Sequence, residues 1–234
     1  MRLGAIAWRL SWAALAAVVF VFVLVQLWFF SQVVYWSRFE PQTSAFMDRR
    51  LDTLRTKNGK AVLFREWAPY VRISPHLKRA VVAAEDARFL DHEGFDWQAM
   101  QKALEKNVQR GKVVAGASTI SQQLAKNLFL SDERSLWRKG EEAVITWMIE
   151  SVMTKRRILE LYLNYAEWGE GVFGAEAAAR YHFGIGAAAL GPEQSAWLAA
   201  ILPSPRRYKR GEITPYSLDR ARAIASHMDK AQIP

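Results

Sequence analysis

The chain has 234 residues, 51% of them apolar, and its 32 basic against 23 acidic side chains give a formal net charge of +9. That apolar share excludes a disordered tail, and the absence of cysteine excludes disulfide frameworks, thiolate metal sites, iron–sulfur clusters and cysteine nucleophiles. The four histidines, His76, His92, His182 and His227, are scattered without an HExxH spacing, so no metal site is expected.

Leu10 to Phe30 is an uncharged run of 21 residues. At about 1.5 Å per helical residue it reaches roughly 30 Å, the thickness of a bilayer's hydrocarbon core. A cleaved signal peptide would have a shorter apolar core and a small-x-small cleavage site. Instead Trp28, Phe29 and Phe30 follow, then Tyr35 and Trp36, which suits an interfacial aromatic belt. Arg2 and Arg9 flank the start and no acid precedes it. The positive-inside rule then places the N-terminus in the cytoplasm and the rest outside. The expected plan is a cytoplasmic tail at 1–9, a transmembrane signal anchor at 10–30, a membrane-proximal linker at 31–44 and a catalytic domain at 45–234. The part after residue 35 loses only Arg2 and Arg9, so it keeps a net charge of +7. A basic body beside a membrane meets anionic headgroups or a phosphate-bearing substrate, although charge alone does not separate these from a well-solvated surface.

The exported part reads as mainly helical. Ala61 to Phe64, beside the turn signal Asn58-Gly59, is the best strand candidate. Ser74-Pro75 reads as an N-cap with Pro at N1, and Leu77, Ala80, Val81 and Ala84 follow as one apolar stripe. Thr119 with Gln122 is a capping-box pattern, with Ile120, Leu124 and Leu128 behind it. Val144 to Val152 reads as a buried helical segment. Ile158, Leu161, Tyr162 and Tyr165 make another stripe. Pro192 opens a helix through Ile201, and Ser217 to Lys230 is a last amphipathic helix.

Four stretches carry candidate chemistry. Glu85 ends the first apolar stripe, where partial desolvation raises a carboxyl pKa as a general base requires. Taken alone, a helix-end Glu is more often an ordinary acid paired with a neighbour, here Arg88. His92 suits a structural hydrogen bond and Gly94 a turn. Next, Gly116 and Ser118-Thr119 at a helix start make an anion-friendly arrangement. Gln122 and Lys126 share one side of that helix, and Gln123 and Asn127 add amides on an adjoining strip. In RKGEE, Arg138 and Lys139 are a phosphate-capable pair and Glu142 a second carboxylate. A salt-bridged helix start is the competing reading. Finally, Lys155 to Arg157 form a basic cluster, Glu160 and Asn164 are spaced i, i+4, and Gly169, Gly171 and Gly174 mark a loop where backbone can approach a ligand.

In order and spacing these stretches resemble one family, the family 51 or peptidoglycan glycosyltransferases, and within it the monofunctional biosynthetic type. The resemblance runs from about Ala45 to Tyr208. It is carried by Glu85-Asp86, Phe89, His92 and Gly94; by Gly116, Ser118-Thr119-Ile120, Gln123-Leu124 and Lys126-Asn127; by Arg138-Lys139 with Glu142; and by Ile158-Leu159-Glu160, Tyr162-Leu163-Asn164 and Gly169. Gly174, the alanines at 177–179, Leu198-Ala199-Ala200, Pro203 and Pro205 match later family features. Leu90 and Tyr181-His182-Phe183 depart slightly from it.

The resemblance implies a lysozyme-like helical domain with a head and a jaw behind a single-pass anchor. It implies polymerisation of lipid II into glycan by β-1,4 bonds, with inversion and release of undecaprenyl pyrophosphate. Glu85 becomes the general base and Glu142 a second carboxylate that orients groups or supports charge. Lys126, Arg138 and Lys139 meet the pyrophosphate, and Ser118, Thr119, Gln122, Gln123, Asn127, Glu160 and Asn164 are the remaining substrate-binding candidates. No tightly bound cofactor is implied, with Mg or Mn as a stimulatory ion. The implied partners are lipid II, the nascent glycan strand, membrane lipid and cell-wall synthesis or division proteins, and not nucleic acid. The implied location is the inner membrane with the catalytic domain on the periplasmic side. Val108–Val114, beside Arg110 and Lys112, is expected to dip into the interface. A lytic enzyme would not need the three cations. A bifunctional penicillin-binding protein is not expected, because no S-x-x-K occurs. A silent anchored scaffold is opposed by the presence of Glu85 and Glu142.

Overall fold

The computed structural model describes residues 2–112, 116–131 and 135–234, with side chains from Trp8 onward. They separate into two compact units, residues 1–40 and 41–234. The first is helix α1, Arg2–Trp36. Among the described residues it is the one helix long and apolar enough to cross a membrane, over Trp8–Trp36. It fits a membrane anchor. At about 1.5 Å per residue its 35 residues reach roughly 50 Å, so it continues past the bilayer core, through positions 31–36 of the expected linker.

The second unit begins with α2, Ala45–Lys57, capped by Ser44. Strand β1 is Phe64–Arg65, and a 3-10 turn at Tyr70–Arg72 leads to α3, Pro75–Glu85. Helices α4, Trp97–Arg110, α5, Ile120–Phe129, α6, Leu136–Val152, and α7, Lys155–Tyr165, follow. A hairpin of β2, Glu167–Gly169, and β3, Val172–Phe173, precedes α8, Ala175–Phe183. The chain closes with α9, Pro192–Ile201, and α10, Pro215–Ala225. The described helices dominate, and the sheet is small, ordered β1-β3-β2 with β1 parallel and β2 antiparallel to β3.

The core is built around α9, whose residues from Ser195 to Ile201 are all buried. It packs against α3 and α10. The stripe Leu77, Ala80 and Val81 is fully buried, and each such Leu or Val contributes about 1.5–3 kcal/mol. A second cluster forms where α5 meets α2, α6 and α7. The expected caps at Ser74 and Thr119 are present, the latter as a full capping box with Gln122. Proline at N1 opens α3, α9 and α10.

Three elements differ from expectation. The strand is Phe64–Arg65, not Ala61–Phe64, because it is defined by pairing with Val172 and Phe173 far along the chain. Val62 stays 78% exposed. Helix α6 is amphipathic, not buried throughout: Ile145, Met148 and Ile149 face inward while Trp147 is 63% exposed. The last helix starts at Pro215 and ends at Ala225, with a separate 3-10 turn at Met228–Lys230. Ala221, Ile224 and Met228 are all buried, so the apolar spacing runs on across the break and hides it. Of the expected interface-dipping stretch, Val108 is exposed on α4, and Val113 and Val114 lie outside the described residues.

Candidate active site

The site is assembled from the end of α3, the start of α5 and the first turns of α6. Helix α3 stops at Glu85, and Asp86 turns inward. Its Oδ2 accepts from the Ile120 N–H at 2.9 Å, so a carboxylate sits on the N-terminus of α5, where the helix dipole favours it. Its Oδ1 lies 2.9 Å from His92 Nε2. The Gly94 N–H donates to His92 Nδ1, which leaves Nε2 as the hydrogen-bearing nitrogen. Gly94 has φ +88°, and a Cβ there would come within 2.8 Å of the Thr146 methyl. Lys155 Nζ closes the loop, donating to the His92 carbonyl and pairing with Glu150 at 2.8 Å over the Phe89 ring. The loop between α3 and α4 is therefore locked, and the Glu85 backbone is locked with it.

Glu85 itself is 12% exposed at its side chain. Its Oε2 accepts from Gln123 Nε2 at 2.9 Å, and Gln123 Oε1 accepts from the Tyr162 hydroxyl at 3.0 Å. The amide orientation of Gln123 is thus set from behind. Burial pushes the Glu85 carboxyl above its ordinary value, opposed by the Gln123 hydrogen bond, Arg220 and Lys126, and assisted by Asp86. Burial, with Glu85 and Asp86 nearby, pushes the Tyr162 hydroxyl well up, so it stays a proton donor to Gln123.

Two hollows share Ser118 as a lining residue. One of about 300 Å³ contains Glu85, Arg88, Lys102 and Thr119. The other, about 450 Å³, brings together Gln123, Lys126, Asn127, Arg138, Lys139, Glu142 and Tyr162. The Glu85–Gln123 bond links their walls. Buried Glu142 pairs with Arg138 Nη1 at 2.6 Å and with Lys139 Nζ. Both its oxygens are occupied by cations, so it holds their side chains at the cleft. The far wall carries Phe46, Pro203, Pro205, Glu167 and Arg206. Burial raises the Glu167 carboxyl, countered by the Gly171 N–H, Arg50 and Arg206.

Of the expected site residues, Glu85, Ser118, Gln123, Lys126, Asn127, Arg138, Lys139 and Glu142 lie on these walls. Four are turned to the protein's own backbone. Gln122 is buried and its Oε1 accepts from the Thr119 N–H. Thr119 borders the smaller hollow, but its hydroxyl donates to the Gly94 carbonyl. Glu160 accepts from the Tyr70 N–H and pairs with Arg157. Asn164 brackets Ala68, accepting from its N–H at 2.8 Å and donating to its carbonyl at 2.9 Å. These polar groups satisfy buried backbone, so they belong to the scaffold. So does the basic cluster: half-buried Lys155, the first residue of α7, bonds the loop as described, and Arg156 and Arg157 lie over Tyr70 and Trp67. Gly174 serves close packing on the carbonyls of Asn164 and Glu66, not a ligand. Arg88 pairs with Asp91 and Asp96, not with Glu85.

Sequence reasoning missed Tyr162, Glu167, Arg206 and Arg220. Tyr162 looked like one aromatic of a core stripe, and nothing local marks the others. Asp86, His92 and Asp96 converge closely enough to suggest a metal cluster. Both His92 ring nitrogens and both Asp86 oxygens are already engaged as described, and Asp96 Oδ1 accepts from the Ala99 N–H and Arg88, so His92 has no lone pair to give a metal. The group does not fit a resident ion.

A family profile for transglycosylases matches residues 53–229. The chain belongs to the transglycosylase family. A biosynthetic peptidoglycan transglycosylase of Nitrosospira multiformis is 59% identical over 93% of this chain and 94% of its own. Those of Aromatoleum aromaticum and Chromobacterium violaceum are 56% and 51% identical, over 94% and 97% of this chain and 95% and 99% of theirs. Within this transglycosylase, the profile spans α3 through α10 and so contains every wall of the cleft except Phe46.

Proposed function

We propose that this transglycosylase polymerises peptidoglycan glycan strands, using Glu85 as general base on a lipid-linked disaccharide pyrophosphate. The observation that carries the reading is a largely desolvated carboxylate with one oxygen fixed by Gln123, beside a cleft where Lys126, Arg138 and Lys139 converge. A sugar hydroxyl needs a positioned base to lose its proton. A departing pyrophosphate needs preorganised positive charge. In the step, the acceptor 4-hydroxyl gives its proton to Glu85 Oε1 as its oxygen attacks the donor's anomeric carbon. The bond from that carbon to the phosphate oxygen breaks, and the electron pair leaves with undecaprenyl pyrophosphate. Configuration inverts to a β-1,4 link.

Lipid II and the growing strand are the substrates in this reading, and Ser118, Gln123 and Asn127 supply the polar contacts. Helix α1 keeps the enzyme at the bilayer that holds the isoprenoid tail, and Arg2 and Arg9 before the apolar run support a periplasmic catalytic unit. Mg or Mn is proposed to act on the substrate's pyrophosphate, and no step here depends on it. Contacts with cell-wall synthesis or division proteins belong to the same proposal.

The test incubates detergent-solubilised full-length protein with labelled lipid II beside Glu85→Gln, with products resolved before and after lysozyme digestion. The expected result is a lysozyme-sensitive polymer from wild type alone. Polymer from Glu85→Gln at near wild-type rate overturns the base assignment, and release of short fragments from preformed glycan overturns the reaction class.

A further inference from the structure

Glu85 is held by more than its neighbours on α5. Its Oε1 faces Arg220 Nη2 at 4.0 Å, contributed by α10, near the other end of the folded unit's sequence. Helix α10 is firmly placed: Thr214 caps it, Ser217 accepts from the indole N–H of Trp197, and Ala221 and Ile224 are buried. Arg220 Nε is buried without a hydrogen-bond partner. The guanidinium borders a small hollow with Ser204, Tyr208 and Tyr216.

We propose that Arg220 is a positioning residue for the proton transfer, supplying charge to Glu85 through space while leaving Oε1 open to the acceptor hydroxyl. The inference rests on the polymerase reading above. Its basis is the division of labour between the two oxygens. Gln123 occupies Oε2 with a hydrogen bond. A separation of 4.0 Å is beyond hydrogen-bond length yet within the range where an opposite charge favours the ionised carboxyl. Arg220 therefore supports the carboxylate without blocking the oxygen that must take the proton. The other groups that face Glu85 are Lys126 and Gln123 from α5, Asp86 beside it and the Tyr162 hydroxyl from α7. Lys126 also lines the pyrophosphate cleft, whereas Arg220 lines neither of the two cleft hollows and faces Glu85 from α10.

The sign follows from Glu85, whose burial favours the protonated form. Removing Arg220 raises its pKa further, and more enzyme is protonated and inactive at a given pH. Arg220→Gln should therefore move the acidic limb of kcat/KM for lipid II polymerisation up by about one pH unit. The loss should be about tenfold below the limb and shrink as pH rises. Arg220→Lys should keep the limb within about half a unit of wild type. Arg220→Met retains the apolar stem and is read in the same way if the Gln variant does not fold. Folding is checked by the thermal midpoint. A limb that stays in place with a loss uniform across pH, in a folded Gln or Met variant, overturns the proposal. No polymer from wild type at any pH overturns the polymerase reading instead, so the two failures are distinct.

Discussion

Asp86→Asn isolates what the loop between α3 and α4 contributes. The Asp86 side chain accepts two hydrogen bonds at 2.9 Å, from the Ile120 N–H and from His92 Nε2, and the residue is 7% exposed. His92 is committed to donating, because its other nitrogen accepts from Gly94. An asparagine amide offers one acceptor and one donor group. Whichever way it flips, its NH2 meets another N–H. One hydrogen bond to a carboxylate is lost, worth about 1.5–3 kcal/mol, and a buried donor is stranded. We expect a cost of about 3 kcal/mol, which for a domain of this size lowers the thermal midpoint by about 9 °C. The assay is thermal unfolding of the detergent-solubilised full chain, followed by tryptophan fluorescence. His92→Ala on the Asp86→Asn background should cost about 1 kcal/mol less than on wild type, because the two share a bond. Asp86 also pushes the Glu85 carboxyl up. In whatever fraction folds, the acidic limb should move to lower pH, opposite to Arg220→Gln. A midpoint within about 2 °C of wild type, or additive costs in the double mutant, would refute the reasoning.

Other outcomes follow from the same geometry. Glu85→Gln should abolish polymer yet keep or raise the thermal midpoint at neutral pH. An acid whose folded pKa is raised contributes stability only below its unfolded pKa, and that contribution is lost as pH rises through the folded pKa. Asn164→Ala strands the buried Ala68 N–H and carbonyl and should cost about 2–4 kcal/mol with KM for lipid II unchanged; a raised KM at unchanged stability would return Asn164 to the site. Lys126→Ala should lower kcat/KM about a hundredfold with a wild-type midpoint, and unchanged kinetics would remove it from the pyrophosphate cleft.

Much of this protein is local chemistry written along the chain. The anchor, the caps at Ser74 and Thr119 and the apolar stripes of α3, α5 and α7 depend on residues within a few positions of one another. So does the grouping of Lys126 with Gln123, and of Arg138 and Lys139 with Glu142, because helical spacing alone brings such residues to one side. The same spacing could not say which polar residues face a ligand. Glu160 and Asn164 share a helix face as legibly as Gln123 and Asn127, yet α7 turns its pair onto the backbone of Ala68 and Tyr70. Gln122 and Gln123 are neighbours of like type, and only packing turns one to the helix start and the other to Glu85. What tertiary structure alone decided is the company of Glu85: Tyr162 from α7 behind its amide partner and Arg220 from α10 beside its open oxygen. Residues that far apart meet because α3, α9 and α10 bury a common apolar surface. That surface is non-directional in sequence, so it leaves no local mark of which charge it will carry to the carboxylate.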